Sequence, residues 1–105
     1  MRARHILIPF HAPFPPARQR VRRTRDEAFA LAEQLIDRVL AGEDFGALAM
    51  QYSDCPSRAE GGDLGRFHPD DMTRRFSDAC AAVAPNQLTD PVETEFGVHI
   101  IWRTE

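Results

Sequence analysis

A stretch at mid-chain constrains everything on either side of it: Ser53-Asp54-Cys55-Pro56-Ser57-Arg58-Ala59-Glu60-Gly61-Gly62-Asp63-Leu64-Gly65-Arg66-Phe67. It holds three of the six glycines, one of the two cysteines and few helix formers. Cys55 precedes Pro56 and is pushed toward extended backbone. Gly61-Gly62 allows a tight turn with positive φ. The segments before and after read as strands and helices. An irregular segment inside a small domain is held by such elements, and held loops are where binding and catalytic groups gather.

Those elements can be read in order. Ala3 to Pro9 predicts a strand, with His5 and Leu7 on one face and Ile6 and Ile8 on the other. Apolar side chains on both faces suggest a central position. Residues 9–23 carry four prolines and four arginines and show no helical or strand period. Thr24 with Glu27 three residues on is a capping box. The helix it starts repeats Ala28, Leu31, Ala32, Leu35, Ile36, Val39 and Leu40 on one face and ends at Gly42. Asp44 caps a second helix through Phe45, Leu48, Ala49 and Tyr52. Leu64 to His68 is a short strand. Pro69-Asp70-Asp71 starts a third helix, with Met72, Phe76, Cys80 and Val83 at helical spacing before Pro85 stops it. Thr89 to Val92 is an edge strand weakened by Pro91, and Gly97 to Thr104 is the last strand. The order β-α-α-β-α-β-β implies an α+β fold with an antiparallel sheet.

At 105 residues the chain forms one domain, 1–105, able to bury a core without staples. No apolar run reaches the ~20 residues of a membrane span, and residues 1–10 lack a leader pattern, so a cytoplasmic location is expected. Charge is uneven. Residues 1–25 hold seven arginines and no acid, and residues 26–105 hold six arginines against sixteen acids. A local basic lobe on an acidic body points to an anionic partner at one place and not to a nucleic-acid coat.

Several groups can carry chemistry. Cys55 reads either as a small buried hydrophobe or as a thiol facing a cleft near His5 or His99. Those histidines sit mid-strand, where they either satisfy each other as core groups or serve a site. Cys55, Cys80, His5 and His99 have no close pair at ligand spacing, so no metal is expected. Gly61 to Gly65 lacks the Lys-Ser or Lys-Thr of a phosphate loop, and no nucleotide or other cofactor is expected. Met72 and Phe76, near Leu64 and Phe67, are either ordinary core or the lining of a small apolar pocket. Arg18, Arg20, Arg22 and Arg23 suit a carboxylate or phosphate clamp.

His-Ile-Leu (5–7), Tyr-Ser-Asp-Cys (52–55), Gly-Gly-Asp-Leu-Gly-Arg-Phe (61–67), Met72 with Phe76, and Thr-Glu-Phe-Gly-Val-His-Ile-Ile (94–101) together resemble the parvulin-type peptidyl-prolyl cis/trans isomerases. The resemblance covers about Ala3 to Glu105. It implies the FKBP-like superfold, a four-stranded antiparallel sheet surrounded by about four helices, with the first and last strands adjacent at its centre. It implies a polar cluster of His5, Cys55, Thr94 and His99, and a proline pocket of Leu64, Met72 and Phe76, with Phe96 nearby. The expected partner is a proline-containing polypeptide, bound by a monomer without nucleic acid or membrane. The alternative is a weakly active module that only holds such segments. Pro9 stands where phospho-specific members carry Lys, yet the arginines imply a preference for an acidic residue before proline.

Overall fold

The structure is a computed structural model that describes residues 1–10 and 23–105. Arg18, Arg20 and Arg22 lie outside the described residues. Strand β1 runs Arg2–Ile8. Helix α1, Arg25–Leu40, starts at the expected capping box: the Thr24 hydroxyl accepts from Glu27 N (3.1 Å) and the Glu27 carboxylate from Thr24 N (3.0 Å). Helix α2, Phe45–Tyr52, is capped by Asp44, which accepts from Ala47 N at 3.0 Å. A 3-10 turn, Pro56–Glu60, leads into β2, Asp63–Arg66. A second 3-10 turn, Pro69–Asp71, precedes α3, Arg74–Ala81. The chain ends in β3 (Gln87–Leu88), β4 (Val92–Thr94) and β5 (Gly97–Arg103).

The antiparallel sheet runs β2-β1-β5-β3, with β4 also paired to β5. The first and last strands are therefore its centre. Arg2 O, at the start of β1, accepts from Thr104 N at 2.9 Å, just past the end of β5. The two faces divide as period two requires. Ile6, Ile8, Val98 and Ile100 pack under α1 and α2 against Ala28, Ala32, Leu35, Phe45, Leu48 and Ala49. Ala3 and Ile101, on the opposite face, meet Phe67, Phe76 and Cys80.

Three details depart from the sequence expectation. Of the expected strand Thr89–Val92 only Val92 is in a strand, at the start of β4, and residues 89–91 break β3 from β4, so five strands are counted among the described residues, not four. Thr89 N still reaches Ile101 O (2.8 Å), but Pro91 has no N–H to continue the ladder. Among the described residues, three α-helices and two 3-10 turns stand where about four helices are expected. Met72 is not helical: it is extended (φ −117°, ψ 167°) between the second 3-10 turn and α3. Two caps hold that break. His68 and Asp71 cap the 3-10 turn reciprocally, and the Thr73 hydroxyl accepts from Phe76 N at 3.3 Å to start α3 afresh.

Gly62 locks the mid-chain stretch onto β1. It sits at φ +86°, its carbonyl accepts from His5 N at 2.9 Å, and an added Cβ would lie 2.4 Å from His5 O. No side chain fits that approach, so β2 enters directly beside His5.

Candidate functional site

The sheet register assembles the site. Leu7 pairs with His99 and His5 with Ile101, so the two histidines are diagonal neighbours on one face. Their rings stack at 5.3 Å between centroids, with Nδ1 atoms 3.1 Å apart. Phe76, from α3, meets both rings edge-on at 5.6 and 5.4 Å. Thr94, at the end of β4, places Oγ1 2.7 Å from His99 Nε2 and also accepts from Phe96 N at 3.2 Å.

Burial holds both imidazoles neutral at physiological pH. It lowers His5 from 6.5 to about 4. It lowers His99 to about 3, with the neighbouring His5 adding to the effect. Two neutral rings meeting at Nδ1 need one N–H and one lone pair. If His5 donates, the proton of His99 is on Nε2 and points to Thr94. If His99 donates, the Thr94 hydroxyl must donate to His99 Nε2. The three side chains therefore share one coupled proton arrangement, which leaves His5 Nε2 without a hydrogen-bond partner among the described residues.

His5 and His99 form part of the wall of a cavity of about 450 Å³; Thr94, buried and bonded to His99, does not itself line it. Leu64, Met72, Phe76 and Phe96 supply its apolar surface, and Leu7, Cys55 and Pro56 also line it. Met72 reaches the cavity from extended backbone, not from the helix that carries Phe76. Phe96 stands at the rim, 57% exposed. Cys55 is half-buried in the wall, but among the described residues no hydrogen bond joins its thiol to either imidazole or to Thr94. Thus His5, His99 and Thr94 form a connected cluster, while Cys55 faces the same space separately. Arg23 does not line the cavity: it donates to Pro9 O at 2.9 Å.

Sequence reasoning passed over Ser53. It is 2% exposed, and its Oγ accepts from Leu7 N (3.0 Å) and Cys55 N (3.3 Å). Together with Asp54 N donating to Leu7 O (2.9 Å), it ties the start of the mid-chain stretch to β1. A hydroxyl directly after α2 and before an irregular segment is the signal that could have marked it. Asp71 and Glu95, also in the lining, were likewise not singled out.

The family model described as PPIC-type PPIase domain matches residues 1–105. The chain is 40% identical over 112 residues to the apple (Malus domestica) peptidyl-prolyl cis-trans isomerase Pin1, covering 99% of this chain and 93% of that protein. It is 45% identical over 75 residues to foldase protein PrsA of a Geobacillus species, covering 70% of this chain and only 27% of the foldase. Among solved structures, peptidyl-prolyl isomerase ESS1 from Candida albicans superposes with a TM-score of 0.84 at 33% identity, covering 99% of this chain and 62% of that one.

Proposed function

Because the chain belongs to the parvulin family of PPIC-type peptidyl-prolyl cis/trans isomerases, we propose that its cavity accelerates X-Pro rotation by favouring the twisted amide, without a covalent intermediate. Rotation about a peptide bond faces a barrier of ~18–20 kcal/mol, and no bond has to break. In the twisted amide, resonance is lost, the nitrogen becomes pyramidal and the carbonyl is less polar. A site that binds this form better than either planar isomer lowers the barrier, and ~5.5 kcal/mol of such preference gives ~10⁴-fold acceleration.

The supporting observation is that an apolar slot and a neutral, hydrogen-bonded imidazole pair meet in one cavity. Leu64, Met72, Phe76 and Phe96 grip the ring and strip water from the imide. His5 and His99 bring polarity without charge, so the wall does not hold the substrate in its planar, dipolar form. Cys55 adds a weakly polar surface, and among the described residues its thiol has no hydrogen-bonded base to make it a nucleophile.

The substrates are proline-containing polypeptides, and we infer a preference for an acidic residue, Glu or phospho-Ser/Thr, before the proline. The arginines of residues 18–23 support it. That segment is rooted beside the cavity mouth: a Cβ added to Gly97, next to Phe96, would lie 3.0 Å from Pro9 Cα, and Arg23 bonds Pro9 O. Exchange NMR on Ala-Xaa-Pro peptides with Xaa as Glu, Leu or Lys tests both levels. Exchange is expected to rise for all three and most for Glu. Equal acceleration removes the preference, and binding without any acceleration identifies a holding module, not an isomerase.

A further inference from the structure

A second hollow opens on the other face of the sheet. Helix α1 ends at Leu40, Gly42 turns the chain at φ +109°, and Asp44 starts α2. Between that turn and the short strand β3 lies a groove of about 830 Å³. Phe45 and Trp102 line it, edge to face at 5.6 Å, and Val39, Leu40 and Leu88 extend the apolar surface. Leu40 is 72% exposed. As part of a continuous apolar lining, and not as a scattered residue, it marks an interaction surface.

The groove also has a charge and an open edge. Glu43, Asp44 and Asp90 line it, and no basic residue does. Glu43 is paired with Arg38 at 2.6 Å. Asp44 and Asp90 are exposed, and among the described residues neither forms an ion pair. The C-terminus of α1 adds the negative end of its dipole. Strand β3 is an edge of the sheet. Thr89 N points to Ile101 O on β5, so antiparallel alternation turns the N–H and C=O of Leu88 to the open side.

We propose that this groove docks an extended segment of a partner polypeptide, laid alongside β3, in which basic residues flank an apolar one. The apolar side chain meets Leu40 and Trp102, the basic ones meet Asp44 and Asp90, and the partner's backbone meets the edge groups of Leu88. Trp102 shares its face of β5 with Val98 and Ile100, whereas His99 shares the other face with Ile101. The groove and the His5–His99 cavity have no lining residue in common. A docked partner therefore leaves the cavity free for substrate.

The test uses the full chain and the proline-free peptide Gly-Arg-Thr-Val-Thr-Arg-Gly, which puts Arg, Val and Arg on one face of a strand. Its counterpart with Glu for Arg is the control. Trp102, the single tryptophan, reports occupancy by its fluorescence. The Arg peptide is expected to shift Trp102 emission saturably, with amide shifts in the 15N spectrum clustered at Leu40, Leu88 and Trp102. Its affinity should fall roughly three- to tenfold in high salt, and by a similar factor in Leu40→Ser and in Asp90→Arg, as a few exposed contacts allow. Both variants should keep whatever isomerase rate the parent has. No Trp102 response at millimolar peptide overturns the inference, as does an equal response to the Arg and Glu peptides. Shifts clustered around His99 overturn it too, because they place the peptide in the other cavity. Trp102 emission that changes with protein concentration alone makes the groove an interface between copies of this chain, and also overturns it.

Discussion

Acidification is expected to unfold this domain through its buried imidazoles. Folding depresses the pKa of His5 to about 4 and of His99 to about 3, from 6.5. The folded state thus refuses protons that the unfolded chain accepts. Stability is complete above the unfolded pKa, falls as pH drops through 6.5, and stops falling only below about 4 for His5 and about 3 for His99. Each pH unit below the unfolded value removes ~1.4 kcal/mol per ring, so going from pH 7.5 to 5 removes ~4 kcal/mol from the pair. Typical domains have only ~5–15 kcal/mol in total. Carboxylates do not confuse this window. Glu27, Glu43, Asp63 and Glu105 are held below their ordinary range by their hydrogen-bond partners, so the stability they add is lost at lower pH. Urea unfolding followed through Trp102, the single tryptophan, at pH 7.5, 6 and 5 measures the effect. His99→Asn should remove about half of the pH dependence. A free energy that changes by less than ~1 kcal/mol across this window would refute the account of a neutral buried pair.

Gly62→Ala should cost roughly 2–4 kcal/mol in urea unfolding, from a left-handed backbone forced on a Cβ and a weakened bond to His5 N; a loss under ~1 kcal/mol means that β2 can yield at this point. Cys55→Asp should keep proline isomerase activity within ~tenfold, about 1.4 kcal/mol in the barrier. Loss of all activity in a folded Cys55→Asp protein, with a covalent adduct seen by mass spectrometry in the parent, restores the thiol as nucleophile.

The sequence made some of this site visible and hid the rest for physical reasons. Period two separated His5 and Leu7 from Ile6 and Ile8, and the Thr24–Glu27 box marked the start of α1, because both signals are local. The meeting of His5 and His99 is not local. Strand periodicity says which face a residue takes, not which strand lies beside it, and the family resemblance supplied that adjacency. Met72 shows a different limit. Its spacing of four from Phe76 fits one helix, yet turn, break and fresh helix put both side chains in the same cavity. The caps at His68, Asp71 and Thr73 decide between them. Pro91 correctly signalled an edge, but the split into β3 and β4 depends on where Thr89 finds Ile101.

The central pairing of β1 with β5 has a kinetic consequence. His5 and His99 are 94 positions apart, so the site does not exist until nearly the whole chain has closed on itself, a slow, non-local step. The prolines of the described residues, Pro56, Pro69 and Pro91 among them, must reach their native isomers in molecules that still lack the site, and each X-Pro bond that starts in the wrong isomer takes tens to hundreds of seconds unaided. The first molecules to refold are expected to do so at the uncatalysed rate and then to act on those still unfolded, so refolding followed through Trp102 should show a slow phase that shortens as protein concentration rises.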